Sequence, residues 1–167
     1  MERVLIVGAS GCGKSTLARE LAARMDLPLI HLDREFWLPG WVETDRSVWH
    51  EKVARLCEQP RWVMDGNYGS TLPMRLGRAD TIVFLDYPRR IYLFRVLKRI
   101  FQSHGRVRPD MAEGCPEHLD WEFLRWVWNF ERDERPKISN ALPALSDDQV
   151  LHRFCHPREL EAWKRTL

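Results

Sequence analysis

The segment Gly8-Ala9-Ser10-Gly11-Cys12-Gly13-Lys14-Ser15 restricts what this chain can be more than any other feature. It satisfies G-x-x-x-x-G-K-[ST] at every fixed position. Glycines let the backbone curl until successive N–H groups point inward, the geometry that surrounds phosphate oxygens. A lysine adds a point charge against the β- and γ-phosphates, and a serine hydroxyl ligates Mg²⁺. A helix starting at that point offers its positive N-terminus to the same anion. The flanks agree. Arg3–Gly8 is a short apolar run rich in β-branched residues, which reads as a buried strand. Lys14–Met25 carries Leu17, Leu21 and Met25 at spacings of four, which reads as a helix. The expectation is a nucleoside triphosphate, ATP or GTP, bound with Mg²⁺ through Gly8, Ser10, Gly11, Cys12, Gly13, Lys14, Ser15 and Thr16. The alternative, a chance Gly-rich turn, does not account for the strand before it and the helix after it. Cys12 reads as a small filler, although a helix N-terminus can lower a thiol's pKa.

Further strands are expected at Pro28–Asp33, Trp62–Asp65, Asp80–Asp86 and Val150–Cys155. Helices are expected at Asp45–Gln59, from Pro88 to about His104, at Trp121–Glu134 and at Pro157–Thr166. Arg34–Trp41 reads as a loop with Pro39-Gly40 as its turn, and His104–Asp120 as a polar loop or lid. Strands that alternate with helices imply βαβ units and a parallel sheet covered on both faces. The fold class is therefore α/β: a five-stranded parallel sheet in one domain over 1–167, with a lid insertion at about 104–135.

Composition narrows the partners. The length of 167 residues suits one core, and a net charge of +2 gives no electrostatic case for direct DNA binding. No apolar stretch is long enough to cross a membrane. The four cysteines form no C-x-x-C pair, which favours reduced thiols and a cytoplasmic setting. Cys115 and His118 are too few ligands for a closed tetrahedral metal site in the lid.

Two groups of residues suggest chemistry beyond the phosphate loop. Asp33 is expected at a strand's C-terminal end, where open α/β sheets place their ligands. A carboxylate there can take the proton of an attacking hydroxyl; the plainer reading is a turn cap. Trp37, Trp41 and Tyr68 can stack on an acceptor or simply pack, and Asn67 and Arg75 can hydrogen-bond it, although Arg75 also reads as a solvated charge. Arg95, Arg99, Arg106, Arg108, Arg125, Arg132 and Arg135 crowd one stretch. Phosphoryl transfer needs positioned positive charge more than covalent chemistry, which arginine's planar fork supplies. The alternative is solvated helix faces, with Glu131, Asp133 and Glu134 pairing some of the arginines.

Beyond the phosphate loop, the chain resembles the nucleoside-monophosphate kinase branch of P-loop enzymes. Within that branch it is similar to the FlaR-like topology modulation proteins. The resemblance rests on GASGCGKST, HLDREFWLPGW (His31–Trp41), DGNY (Asp65–Tyr68), DTIVFLDYPRR (Asp80–Arg90), RVRPDMAEGCPE (Arg106–Glu117) and HPRELEAW (His156–Trp163). It implies a lid closing over the donor, Asp65 holding Mg²⁺ through water, and Arg95 and Arg99 covering the base and reaching phosphate. The segment around Asp33 is loosely similar to nucleoside kinases. Asn67-Tyr68 stands where adenylate kinases carry a Phe-Pro-Arg for the AMP phosphate, which weighs against ordinary AMP kinase activity. The leading expectation is a Mg²⁺-dependent phosphotransferase with Lys14, Asp33 and Arg99 as catalytic groups. It would act on a hydroxyl of a nucleoside-like or other small metabolite. The alternatives are a nucleoside-monophosphate kinase, and a nucleotide-dependent regulator linked to DNA topology or an NTPase switch.

Overall fold

The computed structural model describes residues 1–142 and 145–167. Strand β1 (Arg3–Gly8) lies at the middle of the sheet, and Val4, Leu5, Ile6 and Val7 are each 0% exposed. A strand buried on both faces needs a continuous apolar run instead of alternation, and this one has it. Around it lie β2 (Leu29–His31), β5 (Trp62–Asp65), β6 (Thr81–Leu85) and β7 (Val150–Phe154). The order is β2-β5-β1-β6-β7, with every pairing parallel. Helices α1 (Lys14–Met25), α3 (Arg46–Glu58), α5 (Arg89–Ser103), α6 (Trp121–Asp133) and α8 (Pro157–Lys164) flank it. This is the expected α/β class with a five-stranded parallel sheet.

The helix starts are chemically marked. Asp45 accepts from the N–H groups of Ser47 and Val48, and Asp120 from those of Glu122 and Phe123. His156 and Glu159 close a reciprocal cap on α8, behind Pro157. Among the tryptophans, Trp49 and Trp62 are core, whereas Trp121 and Trp128 lie exposed on α6.

The structure corrects three local readings. The second strand stops at His31, and Asp33 sits in the first turn of a short helix, α2 (Leu32–Phe36). Arg34–Trp41 is the end of that helix plus a hairpin, β3 (Trp37–Leu38) paired antiparallel with β4 (Val42–Glu43). Its turn takes Gly40 and Trp41 to φ of 80° and 62°, and glycine accommodates the first without strain. Two short helices, α4 (Leu72–Leu76) and α7 (Arg135–Ala141), escape a periodicity reading because they are too brief to show a face.

The loop 104–120 carries its own small core. Met111, Ala112 and Cys115 are buried against Trp37 and Trp41 of the hairpin. Gly40 N–H donates to Gly114 O at 2.9 Å, Trp41 Nε1 to Pro116 O at 3.1 Å, and Cys115 Sγ to Leu38 O at 3.3 Å. The hairpin and the loop are thus packed together over the same end of the sheet.

At that end, Asp86 follows β6 with a nearly buried carboxylate held by Arg135 and Arg153. Burial opposes its charge, but the hydrogen bonds and charges of the two arginines outweigh this. They hold the carboxyl below its ordinary range. A depressed folded pKa contributes stability above the unfolded value and loses it as pH falls through the folded one. Asp86→Asn should cost about 2 kcal/mol at pH 7, discounted because both arginines are half-exposed. Urea unfolding of both proteins should show the gap closing as pH drops below about 4.

Candidate active site

The phosphate loop is shaped by contacts only glycine tolerates. A Cβ on Gly8 would stand 2.5 Å from Leu85 O, and one on Gly11 would stand 2.5 Å from Tyr92 O. Both have positive φ, 144° and 81°. Gly13 precedes α1 with no side-chain cap, so the first N–H groups of the helix keep no internal partner. Lys14 Nζ donates to Gly8 O (2.9 Å) and Ala9 O (3.0 Å). Its charge therefore lies across the mouth of the loop. Cys12 is buried, and burial pushes its thiol pKa up, which suits a filler and not a nucleophile.

Ser15 Oγ donates to Asp65 Oδ2 at 2.8 Å. On the other carboxylate oxygen of Asp65, His31 Nδ1 approaches to 2.5 Å, and both side chains are buried. Asp110 of the loop 104–120 stands beside the Ser15 hydroxyl and pairs with Arg108 at 3.3 Å. Burial opposes its charge, but the Arg108 guanidinium and that hydroxyl outweigh burial and hold its carboxyl below the ordinary range. A serine hydroxyl between carboxylates is an all-oxygen donor set. It fits Mg²⁺, which prefers few protein oxygens and keeps water.

Asp33 lines the same cleft as Lys14 and Ser15. Tyr68 donates its hydroxyl to Asp33 Oδ1 at 2.8 Å. Burial pushes the Asp33 carboxyl above its ordinary range, against the Tyr68 hydrogen bond and the positive charges of Lys14 and Arg108. The cleft has a volume of about 580 Å³, within the range of roughly 300–1,000 Å³ usual for small-molecule sites. Its walls are the phosphate loop, Tyr87, Arg95, Arg99, Arg108, Asp110, and Pro157, Leu160, Glu161 and Lys164 of α8. Arg95 donates to Cys12 O, and Arg99 reaches Ser10 Oγ at 3.4 Å.

The structure brings Ser10–Thr16, Asp33, Arg95 and Arg99 together around the cleft, with Gly8 at the base of the loop and Asp65 behind Ser15. Others have different duties. Asn67 pairs through its amide with both the N–H and the C=O of Gly8. Arg75 is fully buried and donates to the carbonyls of Gly66, Asn67 and Tyr68. Its guanidinium is directed to backbone and not to the cleft, and burial pulls its pKa down to about 10. Trp37 and Trp41 pack under the loop 104–120 and do not line the cleft. Among the crowded arginines, Arg132 pairs with Asp133 and Arg135 with Asp86, while Arg106 and Arg125 are exposed. Sequence reading missed His31, Asp110 and Glu117 as members of this network. The only signals for them were the H-x-D pattern and acids embedded in the arginine-rich loop.

The loop, its strand and its helix make the chain a P-loop NTPase. The family described as "ATPase family associated with various cellular activities (AAA)" matches residues 4–63, the part that carries the loop. Across a larger span, 148 residues are 30% identical to the uncharacterized protein YqaC of Bacillus subtilis (strain 168), covering 84% of this chain and 79% of that one. The chain belongs to the YqaC family. A shikimate kinase of Rhodococcus jostii (strain RHA1) is 28% identical over 137 residues, covering 74% of this chain and 78% of that one. Among solved structures, the shikimate kinase from Acinetobacter baumannii in complex with shikimate has a TM-score of 0.61. It is 16% identical and covers 99% of this chain and 90% of its own. A gluconokinase from Sinorhizobium meliloti 1021 has a TM-score of 0.50 at 18% identity, with 95% and 86% covered. These structural likenesses show the P-loop kinase fold for this YqaC relative. No described helix is long and apolar enough to cross a membrane.

Lys14→Ala removes the charge at the mouth of the loop and leaves the buried core untouched. Calorimetric titration with Mg–ATP should show affinity reduced by about a hundredfold, roughly 3 kcal/mol. Wild-type ATP affinity in that variant would refute the placement of the phosphates.

Proposed function

We propose that the chain transfers the γ-phosphoryl of ATP or GTP to a hydroxyl of a small metabolite, with Asp33 as the general base. The observation that carries this reading is Asp33 itself. Its carboxylate is oriented by Tyr68, has a raised pKa, and lines the cleft that also holds Lys14 and Ser15. A base is useful only when the acceptor has a proton to lose, so a hydroxyl suits this geometry better than a phosphate. The curated relative and the solved structures that are small-molecule kinases support the same reaction class. The motif likeness to the adenylate kinase-related branch and its topology modulation proteins is part of the proposal for the donor side. Against a nucleoside-monophosphate acceptor, Asn67 and Arg75 are engaged with backbone, so neither side chain is offered to its phosphate.

In the proposed reaction, loop N–H groups and the start of α1 hold the triphosphate, and Lys14 moves from its carbonyl partners to the β- and γ-phosphates. Ser15 would ligate Mg²⁺ and Asp65 would hold it through water; bound there, Mg²⁺ would supply charge neutralisation for the triphosphate. Asp33 accepts the hydroxyl proton as the acceptor oxygen bonds to the γ-phosphorus. The bond from that phosphorus to the β-phosphate oxygen breaks, and ADP or GDP leaves. Arg95 and Arg99 steady the charge that develops.

The test is phosphate transfer from Mg–ATP and Mg–GTP to a panel of nucleosides, nucleoside monophosphates and hydroxylated metabolites. Transfer to a hydroxyl compound is expected, reduced about 10²- to 10⁴-fold in Asp33→Asn. Because the base must be deprotonated and its pKa is raised, kcat/KM should rise with pH through an acid limb above the ordinary carboxylate range. That limb should vanish in the variant. Transfer to a monophosphate with Asp33→Asn fully active would sink the base assignment and favour the nucleotide-kinase reading.

A further inference from the structure

Glu117 stands at the neck of the loop 104–120. Its N–H donates to Arg106 O at 2.9 Å, and its C=O accepts from Gly105 N–H at 2.8 Å. Both ends of the residue are therefore tied to the chain leaving α5. Its carboxylate is buried, 5% exposed, and points at two arginines of the cleft. Oε1 lies 3.1 Å from an Arg99 terminal nitrogen, and Oε2 lies 2.9 Å from Arg108 Nε. Arg99 also reaches Ser10 of the phosphate loop, and Arg108 lines the same cleft as Asp33 and Lys14.

The cluster leaves hydrogen-bonding capacity unused. Among the described residues, the buried Nε atoms of Arg99 and Arg108 and the Oε2 of Glu117 have no aligned hydrogen-bond partner, despite the short contact between two of them. Buried groups of this kind are normally satisfied. Arg99 and Arg108 also line the cleft, and the proposed ligand is rich in oxygens that accept from guanidinium donors.

We infer that Glu117 is an internal stand-in for the γ-phosphoryl: a positioning residue that holds Arg99 and Arg108 over the phosphate loop and yields part of their donors to ATP. The inference rests on the proposed triphosphate site. Glu117 keeps two like-charged guanidiniums at fixed places near the transfer point before ligand arrives, and thereby limits the entropy lost on binding. It also competes with the incoming charge. Removing that charge without changing the side chain's volume should strengthen binding of the nucleotide that carries the γ-phosphoryl, and not of the one that lacks it. It should also slow transfer, because the arginines lose their fixed direction. A residue needed only for structure would weaken both ligands together.

Titration calorimetry of the full chain with Mg–ATP and Mg–ADP tests this. In Glu117→Gln, ATP should bind three- to tenfold tighter, with ADP within twofold of wild type. Glu117→Asp retains the charge but withdraws it by one methylene, and it should tighten ATP binding by about half as much on a logarithmic scale. This second variant keeps the proposal falsifiable if Glu117→Gln does not fold. Equal changes for ATP and ADP, or no change for either, would overturn the role of Glu117 while leaving the triphosphate site in place. No ATP binding by the wild type would overturn the site and this inference with it.

Discussion

The candidate site depends on how tightly the backbone of Gly8 is enclosed. Leu85 O leaves no room for a Cβ, Asn67 engages both its N–H and its C=O, and Lys14 shares that same C=O. Three neighbours are fixed at once: β6, the end of β5 and the first residue of α1. A second close approach, Gly11 against Tyr92 O and Val96, sets α5 directly on the loop. That contact brings Arg95 and Arg99 into the cleft, because they lie on the turns of α5 next to Tyr92 and Val96. One residue without a side chain at each of two places thus determines where the cationic helix stands.

Charge is organised around that frame in two opposed sets. His31, Asp65 and Ser15 form a buried chain beneath the loop, and Arg99, Arg108, Asp110 and Glu117 form another above it. Each set would be costly to bury if its partners were absent, since an unpaired buried charge loses its hydration without recompense. Paired, the two sets hold opposite signs close together in a region shielded from water. Arg75 shows the same economy on purely structural terms: its guanidinium closes three carbonyls in the turn that leads out of β5. That turn carries Tyr68 at φ 38°, an unusual conformation for a bulky residue, and the orientation of Asp33 depends on it.

The legible part of the sequence was the part whose signal is local. The β1–loop–α1 unit could be read because its residue types are dictated by backbone curvature and by phosphate within one short segment. Most of the remaining strands could be read because they are short apolar runs; β7, which carries His152 and Arg153, was marked by its β-branched and aromatic ends. Asp33 was placed at the right end of the sheet but on a strand, because the step from His31 into α2 has no composition marker. The roles of Asn67 and Arg75 were not legible at all. Their partners are backbone atoms whose position is set by tertiary contacts, and no side-chain pattern announces a carbonyl. The arginine-rich stretch gave the right chemistry in bulk. The resemblance singled out Arg95 and Arg99, but nothing in the sequence separated Arg108 from Arg132 and Arg135, because which of these guanidiniums faces the cleft is decided by the fold.

This division between local and distant signals matches a division of labour in the cleft. The donor half is made largely of backbone: loop N–H groups, the start of a helix and the strand ends that clamp them. It tolerates little change, and it is the half that a short motif can specify. On the proposed reading, the acceptor half is assembled from side chains of separated segments. Asp33 comes from α2 and Tyr68 from the turn after β5, while Arg108 and Asp110, from the loop that packs on the β3–β4 hairpin, reach the donor side of the same cleft. Such a half can be remodelled by changing a few side chains without disturbing the sheet. That is why one architecture can serve kinases named for acceptors as different as shikimate and gluconate. On the proposed reading, the acceptor would be chosen by the side chains around Asp33, while the phosphate loop would set only the class of reaction.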